Sequence, residues 1–157
     1  MLFYLVAYGF ATIGAFGIVT LVRDSTGEVN DLNRWAGLAK KSPLVATAFS
    51  LFLLSFGGVP LTAGFIAKFS IFTAAYDSGN IAIVVVGVLS SAIALFFYLR
   101  VILIMFFKEP TDETVTVEVP SFMVSAGIGI CFIATLALGV YPDLVFNLLR
   151  LPTLLVP

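Results

Sequence analysis

Two cations interrupt a chain that is otherwise strongly apolar. Lys68 follows a Gly57-Gly58-Val59-Pro60 break by eight residues from Pro60, and Arg100 stands eight residues before Lys108. A lysine in such a setting suits proton relay, because its amine takes up or releases a proton as the surrounding field changes. A charged lysine near the bilayer centre costs about 2.5–3.5 kcal/mol even on the lenient insertion scale, so it needs polar company. Ser55 and Thr62 flank the break, and Ser70 lies two residues beyond the lysine. With unwound backbone beside them, these hydroxyls describe a hydrated pocket at mid-membrane depth, where transporters place ion sites at the ends of broken helices. The competing reading of Lys68 is snorkelling towards Asp77, about 13 Å away along a helix. For Arg100 the plainer reading is a stem that reaches the interface or a lipid phosphate, and a place in a polar interior is the second. The apolar runs hold no Asp or Glu. Any acidic partner of Lys68 must come from helices outside these residues.

The elements that would carry these groups follow from composition. Of 157 residues, 61% are hydrophobic and only 11% charged, with a mean hydropathy of +1.14. Soluble domains have about 45–50% apolar and about 25% charged residues, so the chain reads as an all-α membrane protein, one membrane domain over 1–157. Charge-free runs at 2–22, 42–67, 81–99 and 122–142 each approach or exceed the roughly 20 residues a spanning helix needs. Four crossings are expected, at about 2–22, 44–76, 81–107 and 122–149. The second has 33 residues and would reach about 50 Å as one helix, against a hydrocarbon core of about 30 Å. Gly57, Gly58 and Pro60 offer the solution, since Pro60 lacks an N–H and its ring clashes with the carbonyl four residues back. Two half-helices are predicted, about 44–56 and 63–76, making this crossing a discontinuous helix whose irregular segment is buried in protein or lines a wet cavity. In the third loop, "TVTVEV" is read as plain loop rather than as a short surface strand.

Loop charge sets the expected sidedness. Arg23, Arg34, Lys40 and Lys41 lie in the first loop and Lys108 in the third, whereas the opposite face has Asp77 and Arg150. By the positive-inside rule the first and third loops are cytoplasmic and both termini lie outside. Small residues recur every four positions at Ala7, Ala11 and Ala15, and again at Gly127, Cys131, Thr135 and Gly139, a spacing that lets helices pack closely. Met1 leads straight into the first apolar run, with neither a basic n-region nor a small-residue cleavage site of a signal peptide. One cysteine, Cys131, excludes an intramolecular disulfide, and zero histidines argue against a haem or histidine-based metal site. There is no basic stripe for nucleic acid.

The stretch "SFGGVPLTAGFIAKFSIF" resembles the broken-helix motif of the antiporter-like membrane subunits of respiratory complex I, NADH–quinone oxidoreductase. "YLVAYGFATIGAFGIV", "DLNRWAGLAKKSP" and "GVLSSAIALFFYLRVILIMFF" are similar to the same family in the same order. The Lys-Phe pair after the break and Tyr-Leu-Arg in the third crossing point to its subunit N type, and multisubunit cation/proton antiporter subunits are close relatives. The resemblance implies a C-terminal third of a subunit of about 14 helices in two inverted repeats. Lys68 then matches the lysine after the second broken helix, on a proton route towards the outer face of a bacterial inner (plasma) membrane. It implies no cofactor in this chain, with NADH, quinone, flavin and iron–sulfur clusters belonging to the whole complex, and a translocase without redox chemistry of its own. The implied partners are the other membrane subunits, the first two-thirds of the subunit itself and the lipid bilayer. The family's glutamate and two further lysines fall in helices absent from this sequence. Two alternatives remain: a subunit of a cation/proton antiporter that uses the same lysine for ion exchange, and a non-conducting piece that packs against other subunits.

Overall fold

A computed structural model describes residues 2–24, 27–28, 31–110, 116–117 and 121–142. Six helices make up most of it: α1 (Leu2–Leu21), α2 (Leu38–Lys41), α3 (Pro43–Gly57), α4 (Ala63–Asp77), α5 (Ile81–Phe107) and α6 (Phe122–Val140). Three of them, α1, α5 and α6, are long and apolar enough to cross a membrane. The stretch 44–76 forms two helices of 15 residues each, α3 and α4. The part of the fourth expected crossing beyond residue 142, and Arg150 with it, lies outside the described residues.

The loops hold more structure than their sequence suggested. Strands β1 (Val22–Asp24), β2 (Gly27–Glu28) and β3 (Thr116–Val117) form a small antiparallel sheet in the order β2-β1-β3. Arg23 pairs with Glu28 on one side and with Thr116 on the other. The expectation of plain loop at "TVTVEV" is therefore corrected: packing brings the end of α1 beside it, and a partner edge turns a marginal two-residue strand into a paired one. Asp31 caps a 3₁₀ turn, Leu32–Trp35, by accepting from the Asn33 N–H. Trp35 is buried and stacks on Phe49 at 5.2 Å between ring centres. Lys108 donates to the Asn33 side-chain oxygen at 2.8 Å, and the Gly37 N–H donates to the Ile104 carbonyl at 3.4 Å. The basic first loop and the end of α5 thus share one end of the bundle.

Helix packing follows the small residues. Ala7, Ala11 and Ala15 are all buried on α1, as are Cys131, Thr135, Leu138 and Gly139 on α6. The expected ridge on α6 is used only in part, since Gly127 is exposed with no neighbour within 4 Å of where a Cβ would stand. α3 buries Ala46, Phe49, Ser50 and Leu53 at i, i+3, i+4, i+7, and also Phe52 and Ser55 off that stripe, so it is covered on more than one face. Phe52, fully buried, lays its ring on Gly14 of α1, where a Cβ would collide with it. A second cluster joins Phe3 and Ala7 of α1 to Ala63 and Ala67 of α4 and Leu138 of α6. That cluster fixes α4 against the early part of α1. By contrast α5 leaves Val86, Leu89, Ile93, Phe96 and Phe97 exposed.

Candidate functional site

The site grows from the end of α3. Gly58 takes a left-handed conformation, φ +75°, which ends the helix at Gly57. The Gly58 N–H then donates to the Ser55 carbonyl and the Val59 N–H to the Leu54 carbonyl, both at 3.0 Å. This glycine cap satisfies two of the carbonyls that a helix end leaves open. The Phe56 carbonyl has a different donor: Lys68 Nζ, at 2.8 Å, reaching back from the second turn of α4. An ammonium there meets the negative end of the α3 dipole. Gly58 serves twice, because a Cβ on it would also stand 3.0 Å from the Lys68 stem.

The start of α4 is locked to α3 from the other direction. The Gly64 N–H donates to Ser55 Oγ at 3.1 Å, so a buried serine of α3 satisfies an open donor in the first turn of α4. Gly64 has to be glycine, since a Cβ would land on the Ser55 carbonyl oxygen. Between the helices, Pro60 is exposed, and Leu61 holds a positive φ of 72° with its side chain also exposed. Thr62 is buried, and its hydroxyl donates to the Val59 carbonyl at 2.7 Å.

Half-buried Lys68 lines a small cavity of about 140 Å³ with Gly57, Gly58, Phe65, Phe72 and Ser91 among its neighbours. Ser55, Thr62 and Ser70, expected as polar lining, are not among its lining residues. The first two hold the break together, and exposed Ser70 donates to the Ile66 carbonyl of its own helix. Lys68 donates instead to the Phe56 carbonyl, and Ser91 supplies a hydroxyl to the cavity lining. Arg100 is exposed on α5 and is not brought to this site. Among the described residues no group of three His, Cys, Asp or Glu is placed to hold a metal.

Tyr8 was missed by reasoning from sequence. Its hydroxyl donates to the same Phe56 carbonyl at 3.5 Å, its ring stacks on Tyr4 at 4.3 Å, and the Phe56 ring lies between those of Tyr8 and Tyr98, 5.9 Å from each. The four-residue spacing of Tyr4 and Tyr8 on one helix face was the available signal. No signal marks Phe56, because the acceptor is a backbone carbonyl.

The family described as "NADH:quinone oxidoreductase/Mrp antiporter, TM" matches residues 1–94, more than half the chain and all of the break and Lys68. The chain belongs to this family. It is 56% identical over 142 residues to NADH-quinone oxidoreductase subunit N of Rhodococcus opacus, covering 90% of this chain and 26% of that protein. Over 148 residues it is 54% identical to subunit N 3 of Streptomyces griseus, covering 94% of this chain and 27% of the relative. Among solved structures it is similar to a chain of respiratory complex I from Thermus thermophilus, with a TM-score of 0.80 and 30% identity over 92% of this chain and 33% of the other. It is also similar to a chain of the Mrp complex from Dietzia, with a TM-score of 0.72 and 25% identity over 92% and 34% of the two. The chain thus spans about a quarter of the length of the curated relatives it matches. It is a membrane family, and the apolar helices of this member accord with that.

Proposed function

We propose that this chain is the C-terminal part of a proton-translocating membrane subunit of an NADH–quinone oxidoreductase, with Lys68 as its proton-relay group. The observation that carries the reading is the 2.8 Å hydrogen bond from Lys68 Nζ to the Phe56 carbonyl across the helix break. In this reading α3 and α4 together make one discontinuous crossing, the second of four. The break provides an acceptor for the ammonium inside the membrane, which an unbroken helix would have consumed in its own hydrogen bonds. The lysine takes a proton while docked on that oxygen and gives it up when the field around it changes. Its carboxylate counterpart is supplied by helices of the same subunit outside these residues or by a neighbouring membrane subunit.

The remaining parts follow from the same reading. The membrane is the bacterial plasma membrane, the basic loops face the cytoplasm, and both ends of the chain lie on the outer side. NADH, flavin, iron–sulfur and quinone chemistry belongs to other parts of the complex, and this chain contributes a segment of proton path and scaffold. The identity of over 50% to relatives named as subunit N favours this over the second reading, a cation/proton antiporter subunit. That second reading draws on the likeness to the Mrp complex.

Lys68→Ala in the full-length subunit, assembled in its complex in sealed membrane vesicles, tests the relay. Proton pumping and coupled quinone reduction are expected to fall while assembly persists. Lys68→Arg is expected to fail as well, because a guanidinium does not give up its proton. Normal pumping by a well-assembled Lys68→Ala complex would sink the relay. Sodium-dependent exchange without any electron donor would favour the antiporter.

A further inference from the structure

The Phe56 carbonyl oxygen has two donors from two different helices, Lys68 Nζ of α4 at 2.8 Å and the Tyr8 hydroxyl of α1 at 3.5 Å. From this we propose that Tyr8 is a positioning residue for Lys68, a second donor that keeps this carbonyl satisfied when the lysine leaves it. The inference rests on the relay reading of Lys68. The Phe56 carbonyl is part-buried, and a carbonyl without a donor is disfavoured inside a membrane. The glycine cap uses the Leu54 and Ser55 carbonyls and leaves Phe56 to side chains. A lysine that alone satisfied that oxygen would be held there. With Tyr8 at hand, the hydroxyl closes in as the ammonium withdraws, and the helix end stays satisfied in both positions of the lysine.

The surroundings of Tyr8 suit that role. Its ring stacks on Tyr4 on one side and faces Phe56 on the other, and its hydroxyl has two neighbours, the Tyr4 side chain and the Phe56 carbonyl. The titratable groups around it are Tyr4 on its own helix, Tyr98 on α5 and Lys68 on α4. α1 and α4 are fixed to each other through Ala7, Ala63 and Ala67, one helix position from Tyr8. The shared oxygen therefore sits at a rigid junction of three helices.

Tyr8→Phe in the assembled full-length complex tests this, because it keeps the ring contacts and removes only the hydroxyl. Coupled turnover and pumping are expected to fall roughly fivefold, the effect of one lost neutral hydrogen bond. The KM for quinone and the subunit content should stay as in wild type, and the pH–rate profile should be displaced. In a Lys68→Ala background the same substitution takes the last donor from the carbonyl and should lower the melting temperature. It should lower the residual pumping rate no further, since no lysine is left to release. Wild-type rate and pH profile in Tyr8→Phe, beside a disabled Lys68→Ala, would overturn the role of Tyr8 and leave the relay standing. An equal loss in the Lys68→Ala background would also overturn it, since that is what a packing defect produces. Normal pumping in Lys68→Ala would remove the relay and this inference together. If Tyr8→Phe lowers subunit content, 3-fluorotyrosine incorporated at Tyr8 decides: restored assembly with restored turnover supports the hydroxyl, and restored assembly without it does not.

Discussion

Gly64→Ala is the perturbation that most directly tests how the two helices meet at the break. The Gly64 Cα rests against Ser55, and an added Cβ would overlap the Ser55 carbonyl oxygen. To reach van der Waals separation, α4 has to withdraw from α3 by roughly 1–2 Å. The Lys68–Phe56 hydrogen bond starts at 2.8 Å, so the same movement takes it past the range in which such a bond holds. Overpacking of this kind destabilises by about 1–3 kcal/mol, and a lost hydrogen bond to a charged group adds about 1.5–3 kcal/mol. Alanine recovers at most about 1 kcal/mol through helix propensity. The expected net loss is about 1.5–6 kcal/mol, with proton pumping impaired although Lys68 is unchanged. Thermal unfolding of the purified complex and pumping in vesicles measure the two effects. Gly9→Ala is the matched control, because a Cβ at Gly9 meets nothing within 4 Å. If Gly64→Ala is as stable and as active as Gly9→Ala, the close approach of α3 and α4, and the docking of Lys68 that depends on it, are refuted.

Two further outcomes follow from the same contacts. On α6, Gly139→Ala drives a Cβ into the Leu61 carbonyl and the Thr62 backbone, and should lower the melting temperature by the equivalent of about 1–3 kcal/mol. Gly127→Ala, with open space around it, should be neutral or stabilise by up to about 1 kcal/mol. Equal effects of the two would show that α6 does not press on the break. Pro60→Ala should change stability by no more than about 1 kcal/mol and keep most pumping, because Gly58 already ends α3 and Pro60 itself is exposed. A loss greater than that of Lys68→Ala would reverse the ranking.

Much of the architecture was legible before any packing was known. The apolar runs mark the membrane class because a charge in hydrocarbon is disfavoured wherever it lands. α1 begins and ends within a residue of its run, and α5 spans the expected crossing 81–107, running eight residues past its charge-free run and through Arg100. The end of α3 was legible to within a residue, expected at about 56 and found at Gly57, but for another reason: the expectation leaned on Pro60, whereas the helix is ended by Gly58 in a left-handed conformation. The polar lining was read less well. Ser55, Thr62 and Ser70 are near the lysine in sequence, but a hydroxyl in a helix or turn readily turns back on its own backbone, as Thr62 and Ser70 do. The short strands were missed because each has only two or three residues and exists only by pairing with a segment remote in the chain.

The identity and spacing of residues, then, determined that this chain is built for a bilayer, that a helix stops at Gly57, and that one lysine follows the stop. Tertiary structure alone decided what that lysine touches. Its partner is a backbone carbonyl, which every residue possesses and no sequence distinguishes. Its companion donor, Tyr8, lies 48 positions from Phe56, and only the packing of α1 against the break brings the two within reach.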